Sequence, residues 1–565
     1  MNINRFSTKV KNENQQGVNL TNSLPIVLLV IVSIFILYPI IILVISSFSR
    51  YGHFSLENYK ITFASSTTFK AFINTLKMAL ITLTGTWIAG GFLAFVRHKT
   101  DFKYKKTLDN FVFLSFTIPA YILSISWIEV LTRGGYLNRI LKVVFPTITY
   151  RFNAYTIFAS AIILILHLYP LVYYGVGNAL KLLNGDIEQA ARVCGIARFQ
   201  ILIRVILPLV MPSFISTGLL VISRSMANFG VPAQVSLPTG NEVLTTRIFS
   251  SMSDLNLGVV AVLSVILILI AVAIFLISEK FTQKKYYNVN ADNKNINVSV
   301  IKLGKWKQAI NIAVIIFFVF SVIIPFITII ISSFFKRWGL PFSKESFTIS
   351  NYVRLFSQEN LLTQPLFNSL IYGIVGATIA SLIASLIVYL YVYRNNKASK
   401  WLMNIAQLPI AVPNMILAVA AMFAWINEPF KLYGTSSIIV ITYIVLFIPI
   451  CIKQMLGSSE NLDKELDKAA ITMNINIYIR YTKLFLPQIK DSLLSGFLIC
   501  FLISLKEIPI SLLLYTSTTK TLGVMMFTVQ SNSYGLEMTS TISVIVIFFS
   551  FIGHIVLKNL GSKGY

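Results

Sequence analysis

The chain has 565 residues, of which 56% are hydrophobic and 12% charged, with a formal net charge of +26 and a mean hydropathy of +0.75. A soluble core needs far less apolar surface, so this composition excludes a soluble globular domain and implies an integral membrane protein. Basic residues set beside apolar runs read as a topology signal rather than as an affinity for nucleic acid.

A helix crosses the hydrocarbon with about 20 apolar residues. Such runs lie near residues 24–48, 71–96, 111–131, 156–175, 207–229 and 257–277, and again near 310–334, 366–392, 402–425, 436–453, 493–511 and 538–557. We number them spans one to twelve. They continue along the whole chain, so a cleaved signal peptide does not account for the first. With the N-terminus inside, the inside segments hold about 30 of the 47 basic residues and the outside loops about 14, which places both termini in the cytoplasm. Residues 279–309, rich in Lys and Asn, read as a flexible cytoplasmic linker between a first half, 1–278, and a second, 310–565. Cys194, Cys451 and Cys500 are far apart and share no metal-ligand spacing with the four histidines, so neither a disulfide framework nor a metal site is expected.

The halves repeat one another. FINTLKMALITLTGTWIAGGFLAFV (Phe72 to Val96) matches LFNSLIYGIVGATIASLIASLIVYL (Leu366 to Leu390), with Asn74 opposite Asn368. IPAYILSIS (Ile118 to Ser126) matches VPNMILAVA (Val412 to Ala420) at the same offset. Each half has an even number of spans, so the repeat is parallel about an axis along the membrane normal, and a solute path is expected on that axis.

Between spans four and five runs a polar, Ala-rich stretch from Asp186 to Ser213. Asp186 is expected as an N-cap with Gln189 at capping-box spacing, and Gly195 as a left-handed helix stop. Between them, Ala190 and Ala191 permit close approach, and Glu188 near the positive helix end suits a partner's donor. A second copy, Glu465 to Ser492, puts Asp467, Ala469 and Ala470 at the matching places and Asn474 where Gly195 stands, with Leu486 and Pro487 opposite Leu207 and Pro208. Asn is the next best residue for a left-handed turn. One copy alone reads equally as an ordinary interfacial helix; two on the same side, at corresponding points of the halves, argue for docking.

The EQAA…G pattern followed by ILP resembles the EAA loop of type I ABC importer permeases (the MetI-like fold), and its double occurrence resembles permeases with two fused transmembrane domains. The resemblance implies an all-α integral membrane fold with about twelve transmembrane helices in two parallel six-helix repeats. It further implies that Glu188 to Gly195 and Asp467 to Asn474 are coupling helices docking on two copies of a cytoplasmic ABC ATPase subunit. Asp467 for Glu and Asn474 for Gly depart from the pattern and bear on whether both docks are equally strong. No GxxxxGK[ST] phosphate loop occurs; LGKW at Leu303 lacks the upstream Gly and the hydroxyl residue. The chain is thus expected to be a transport subunit and not an enzyme, with no cofactor of its own, ATP and Mg being bound by the partner ATPase.

Two symmetry-related stretches, Met226 to Phe249 and Ser504 to Leu514, resemble the fused permeases of ferric iron importers, whose relatives carry thiamine, 2-aminoethylphosphonate and similar solutes. Asn228, Phe229, Gly230 and Pro232 in one, and Lys506, Glu507 and Pro509 in the other, are the expected gate and translocation-path residues. Gly and Pro interrupt the helix there, and exposed backbone at that depth is tolerated where it lines a cavity or packs in protein; ionisable residues in a span are functional candidates by default. The competing reading has Lys77, Arg224 and Lys506 reaching to the outer headgroups. Facing the axis, Lys506 and Arg224 would suit an anionic or anion-chelated solute. No cluster in the spans resembles a ferric site, so recognition of iron would fall to a separate protein.

The expected function is the permease subunit of a binding-protein-dependent ABC importer in the bacterial cytoplasmic membrane, with ferric iron first among solutes and 2-aminoethylphosphonate or thiamine as alternatives. Its expected partners are the ATPase pair, an extracytoplasmic binding protein (periplasmic or lipid-anchored) and the lipid bilayer, with no nucleic acid. An ion-gradient-driven secondary transporter has the same topology, but the sequence offers it no evident buried acidic or His relay in mid-span.

Overall fold

The computed structural model describes residues 3–132, 134–145, 153–183, 185–283, 300–357, 361–394, 396–428, 430–460, 462–531 and 535–561. Among these, nine helices are long and apolar enough to cross a membrane, and twelve spans result when each of three bent helix pairs counts as one. Spans two (Ser66–Lys99), four (Ile157–Leu182), five (Leu202–Met226), eight (Thr363–Arg394) and ten (Ser436–Ser459) are single helices, whereas spans three, nine and eleven are bent. Span three joins Lys105–Ser115 to Ala120–Val144 at 92°, and span nine joins Lys397–Ala411 to Asn414–Trp425 at 112°.

Proline accounts for both of these bends. A residue before Pro is pushed out of the helical region, and Ile118 before Pro119 (ψ 121°) and Val412 before Pro413 (ψ 128°) are both extended. These prolines are the second residues of the two matching nonapeptides, so the repeat signal marks a repeated break. In span eleven, Ile477–Gln488 meets Lys490–Leu505 at 77° across Ile489. Spans five and eleven also share a π-helical turn, Leu202–Ile206 and Arg480–Phe485, just before Leu207–Pro208 and Leu486–Pro487. The wider turn stands where the coming proline has no N–H to give.

The chain packs as two compact units that do not coincide with the sequence halves. One contains Met1–Phe54, Gln358–Met525 and Phe549–Tyr565; the other contains Ser55–Ser357 and Met526–Phe548. In the first, span one packs on span nine, where the Tyr38 and Phe35 rings lie 5.4 and 6.0 Å from Trp425. In the second, span seven packs on span three: Phe318 stacks on Phe111 at 4.9 Å, Phe320 on Trp127 at 6.1 Å, and Ser126 Oγ donates to Pro325 O. Lipid tails are as apolar as Leu, so helices in a bilayer associate by close backbone approach. Spans two and four achieve it at Gly90, where a Cβ would stand 2.6 Å from Tyr169 O. Spans eight and ten do so at buried Gly376, where a Cβ would stand 3.2 Å from the Tyr443 Cβ.

Of the expected linker, residues 284–299 lie outside the described residues. Its far end forms a short parallel bridge beside the end of span two: Ile301 N donates to Lys99 O (2.8 Å), Asp101 N to Ile301 O (3.2 Å), and Leu303 N to Asp101 Oδ1 (2.9 Å).

Candidate functional site

Each polar repeat forms a short helix between two spans, Gly185–Val193 in the first half and Glu465–Thr472 in the second. The first starts at Gly185, so Asp186 sits in its first turn rather than at the expected N-cap. Both helices end in the same hydrogen-bonded turn. Gly195 N reaches Arg192 O and Ile196 N reaches Ala191 O; Asn474 N reaches Ile471 O and Ile475 N reaches Ala470 O, all at 2.9 to 3.1 Å. Gly195 has φ +75° and Asn474 φ +56°, the left-handed conformation of a helix C-terminal stop.

The surfaces of the two helices divide in the same way. Ala190 and Ala469 are exposed, Ala191 is half-buried and Ala470 buried. Near each helix a bulky apolar side chain also faces outward, Val193 in one and Met473 in the other. Glu465 lies 2.7 Å from Lys468 on the exposed face, and its hydrogen bond raises the Lys468 ammonium above its ordinary pKa.

The carboxylates point the other way. The sequence suggests Glu188 for a partner's donor, but it is buried, with Oε1 2.5 Å from Nζ of the wholly buried Lys99. Asp467, also buried, takes Arg480 Nη1 on both oxygens at 3.1 Å, and Tyr389 OH lies 3.4 Å away. The physical reason is desolvation. A buried carboxylate needs a cation and hydrogen bonds at hand, and both halves supply them from within the chain.

The gate stretches are breaks with caps. Span five ends at Met226, and a six-residue helix, Gly230–Val235, follows; span eleven ends at Leu505, and Pro509–Leu514 follows. Asn228 Oδ1 accepts from Val231 N at 3.0 Å. Glu507, at the equivalent place, accepts from Ile510 N at 2.9 and 3.1 Å and from Ser511 N at 3.2 Å. Both side chains thus satisfy helix N-terminal donors that lack intrahelical partners. Glu507 is almost wholly buried, Lys506 half-buried, Pro232 buried, and Gly230 and Pro509 half-buried at the first helical positions. Neither Arg224 nor Lys506 forms an ion pair with a described residue; Arg224 and Lys77 are exposed. Phe229 is buried with its ring 5.2 Å from Phe249 and 5.9 Å from Phe527.

Three features escape sequence reasoning. Asn74 Nδ2 donates to Glu242 O, and Thr75 Oγ1 accepts from Leu244 N; in the second half Asn368 Nδ2 donates to Thr518 O and Lys520 O, and Ser369 Oγ accepts from Leu522 N. The start of spans two and eight thus clamps the segment that follows the break in spans five and eleven, and the alignment of Asn74 with Asn368 was its only signal. Tyr121 OH receives Gln234 Nε2 (2.9 Å) and reaches Gln530 Oε1 (3.0 Å). Glu129, wholly buried in span three, takes Ser540 Oγ on Oε1 at 2.7 Å. This buried carboxylate in the last turn of Ala120–Leu131 was not singled out from sequence; its signal was a lone Glu in an apolar run.

Residues 87–285 and 376–563 each match the family model described as "Binding-protein-dependent transport system inner membrane component". The chain is 24% identical over 499 residues to the putative ferric transport system permease protein FbpB 1 of Haemophilus influenzae, covering 87% of this chain and 78% of that protein. It is 23% identical over 536 residues to the ferric transport system permease protein FbpB of Actinobacillus pleuropneumoniae, covering 93% and 76%. A probable sulfate transport system permease protein cysT of Prototheca wickerhamii is 29% identical over 217 residues, 38% of this chain and 82% of that protein.

Proposed function

The chain belongs to the binding-protein-dependent transport system inner membrane components and is a multi-pass ABC importer permease, and from that premise we propose that its solute is ferric iron. The long matches to permeases named for ferric transport support this reading. Each half, 1–278 and 310–565, is one transmembrane domain, and both termini are cytoplasmic. The helices at 186–195 and 465–474 each dock on one ATPase subunit, which binds ATP and Mg and hydrolyses the nucleotide. An extracytoplasmic binding protein delivers the solute to the outer loops. ATP-driven closure of the ATPases swings the two halves between outward and inward access. The observation that carries the coupling reading is the duplicated loop helix, exposed at Ala190 and Ala469 and closed by a left-handed residue in both copies.

The test is uptake in proteoliposomes holding this chain with its partner ABC ATPase and binding protein. Radiolabelled ferric iron should accumulate only with ATP inside and should survive a protonophore. Uptake abolished by the protonophore with ATP present would favour a gradient-driven carrier. Competition by 2-aminoethylphosphonate or thiamine, with no iron uptake, would move the solute to that class while leaving the ABC mechanism intact.

A further inference from the structure

The two loop helices bury equivalent carboxylates, yet the cations that hold them come from different places. Lys99 is the last residue of span two, 89 positions before Glu188 in the chain. Arg480 opens the π-helical turn at the head of span eleven, 13 positions after Asp467. By the repeat alignments, Tyr393 of span eight stands where Lys99 does, and Ile201 stands where Arg480 does. Each half therefore lacks the cation that the other uses and supplies one from elsewhere.

A buried carboxylate with no counter-charge is costly, and breaking such a pair on one side is far worse than never having it. Two independent solutions to one requirement indicate that the carboxylate must be held, and they fix it to different bodies. In the first half the ion pair ties the loop helix to span two, whose end is also bracketed by Ile301 on the Lys99 carbonyl. In the second half the ion pair stays on the segment that leads into span eleven and its gate break. There span eight meets the same segment without an ion pair among the described residues, through Tyr389 OH to Asp467 at 3.4 Å, Ser385 Oγ to Tyr481 OH at 2.6 Å, and the rings of Tyr389 and Tyr393 5.2 and 5.9 Å from Phe485.

We propose that Lys99 and Arg480 are positioning residues that pass the movement of the two loop helices into different spans, the first into span two and the second into span eleven. The inference rests on the coupling-helix reading given above. The two ATPase strokes then enter the halves by different routes, and the halves of this fused chain are mechanically unlike although they are alike in sequence pattern.

The experiment is hydrogen exchange on the chain in lipid nanodiscs, co-purified with its ATPase subunits, with and without ATP plus vanadate. In the wild type the nucleotide-dependent change should appear at both loop helices, at residues 94–99 and at residues 480–488. Lys99→Met should abolish it at 94–99 and keep it at 480–488; Arg480→Met should do the reverse. In both, solute moved per ATP should fall by about fivefold or more with hydrolysis retained. The paired swap Lys99→Glu with Glu188→Lys should restore the change at 94–99. Should the Met variants fail to accumulate, Lys99→Arg and Arg480→Lys keep the charge and alter its reach, and should reduce the local change by about twofold.

Variants that leave the nucleotide-dependent pattern intact, or that erase it equally at both places, overturn the inference, since the second is what a purely structural role gives. A wild type with no nucleotide-dependent change at either loop helix overturns the coupling reading itself, and this inference with it.

Discussion

Replacing Glu507 separates a cap from a charge on the solute path. Its carboxylate receives the backbone N–H of Ile510 and Ser511 in a site where Glu507 is only 3% exposed. Glu507→Ala leaves both donors buried and unpaired, at about 1–3 kcal/mol each, so the loss is about 2–6 kcal/mol. Glu507→Asn installs the side chain that the first half uses at the equivalent place, where Asn228 holds one N–H at 3.0 Å. It should recover about half of that loss. The assay is thermal unfolding in nanodiscs, followed by tryptophan fluorescence, alongside uptake. Glu507→Ala should lower the midpoint by at least about 2 °C, with Glu507→Asn between it and the wild type and still transporting. An unchanged midpoint in Glu507→Ala, with uptake lost in both variants, would refute the cap and return Glu507 to the path as a charge.

Gly195→Ala forces a Cβ into a positive-φ stop at about 1–2 kcal/mol, whereas Asn474→Ala adds no Cβ and loses only the Asn side chain's tolerance of that conformation, and Asn474→Gly relieves strain there; ATPase co-purification should weaken with the first, weaken less with the second and hold or strengthen with the third. Gly90→Val should abolish accumulation in the membrane, because its Cβ would strike Tyr169 backbone at 2.6 Å, while Gly457→Ala, with nothing within 4 Å, should accumulate normally on a membrane blot. Asn74→Ala and Asn368→Ala should each loosen the segment after one gate by about 1 kcal/mol, read as faster proteolysis of residues 236–243 in the first and 515–521 in the second.

Hydropathy made the number and order of the spans legible, because crossing the hydrocarbon demands length and apolarity that a single sequence displays. It was blind to the bends at Pro119 and Pro413, since a window average ignores the ψ that a proline imposes on its predecessor. The left-handed residues at Gly195 and Asn474 were legible as local chemistry. The partners of Glu188 and Glu129 were not: Lys99 is 89 positions away and Ser540 is 411, and nothing in a linear pattern joins them. The packing of span one with span nine was likewise invisible, because every span is apolar enough to meet any other.

The bridge between Ile301 and residues Lys99 to Asp101 bears on where this polypeptide tolerates being made as two genes. A cut among residues 284–299 leaves Ile301 and Leu303 as the leading tip of the downstream product, where they form a handle that latches the upstream product at the foot of span two. A cut a few residues later strands that handle on the upstream product's tail, and the downstream product loses this one contact while keeping its span-on-span packing. Two-gene versions of this permease should therefore assemble in both arrangements, since span one still packs on span nine and span seven on span three, and should differ in whether the foot of span two is latched.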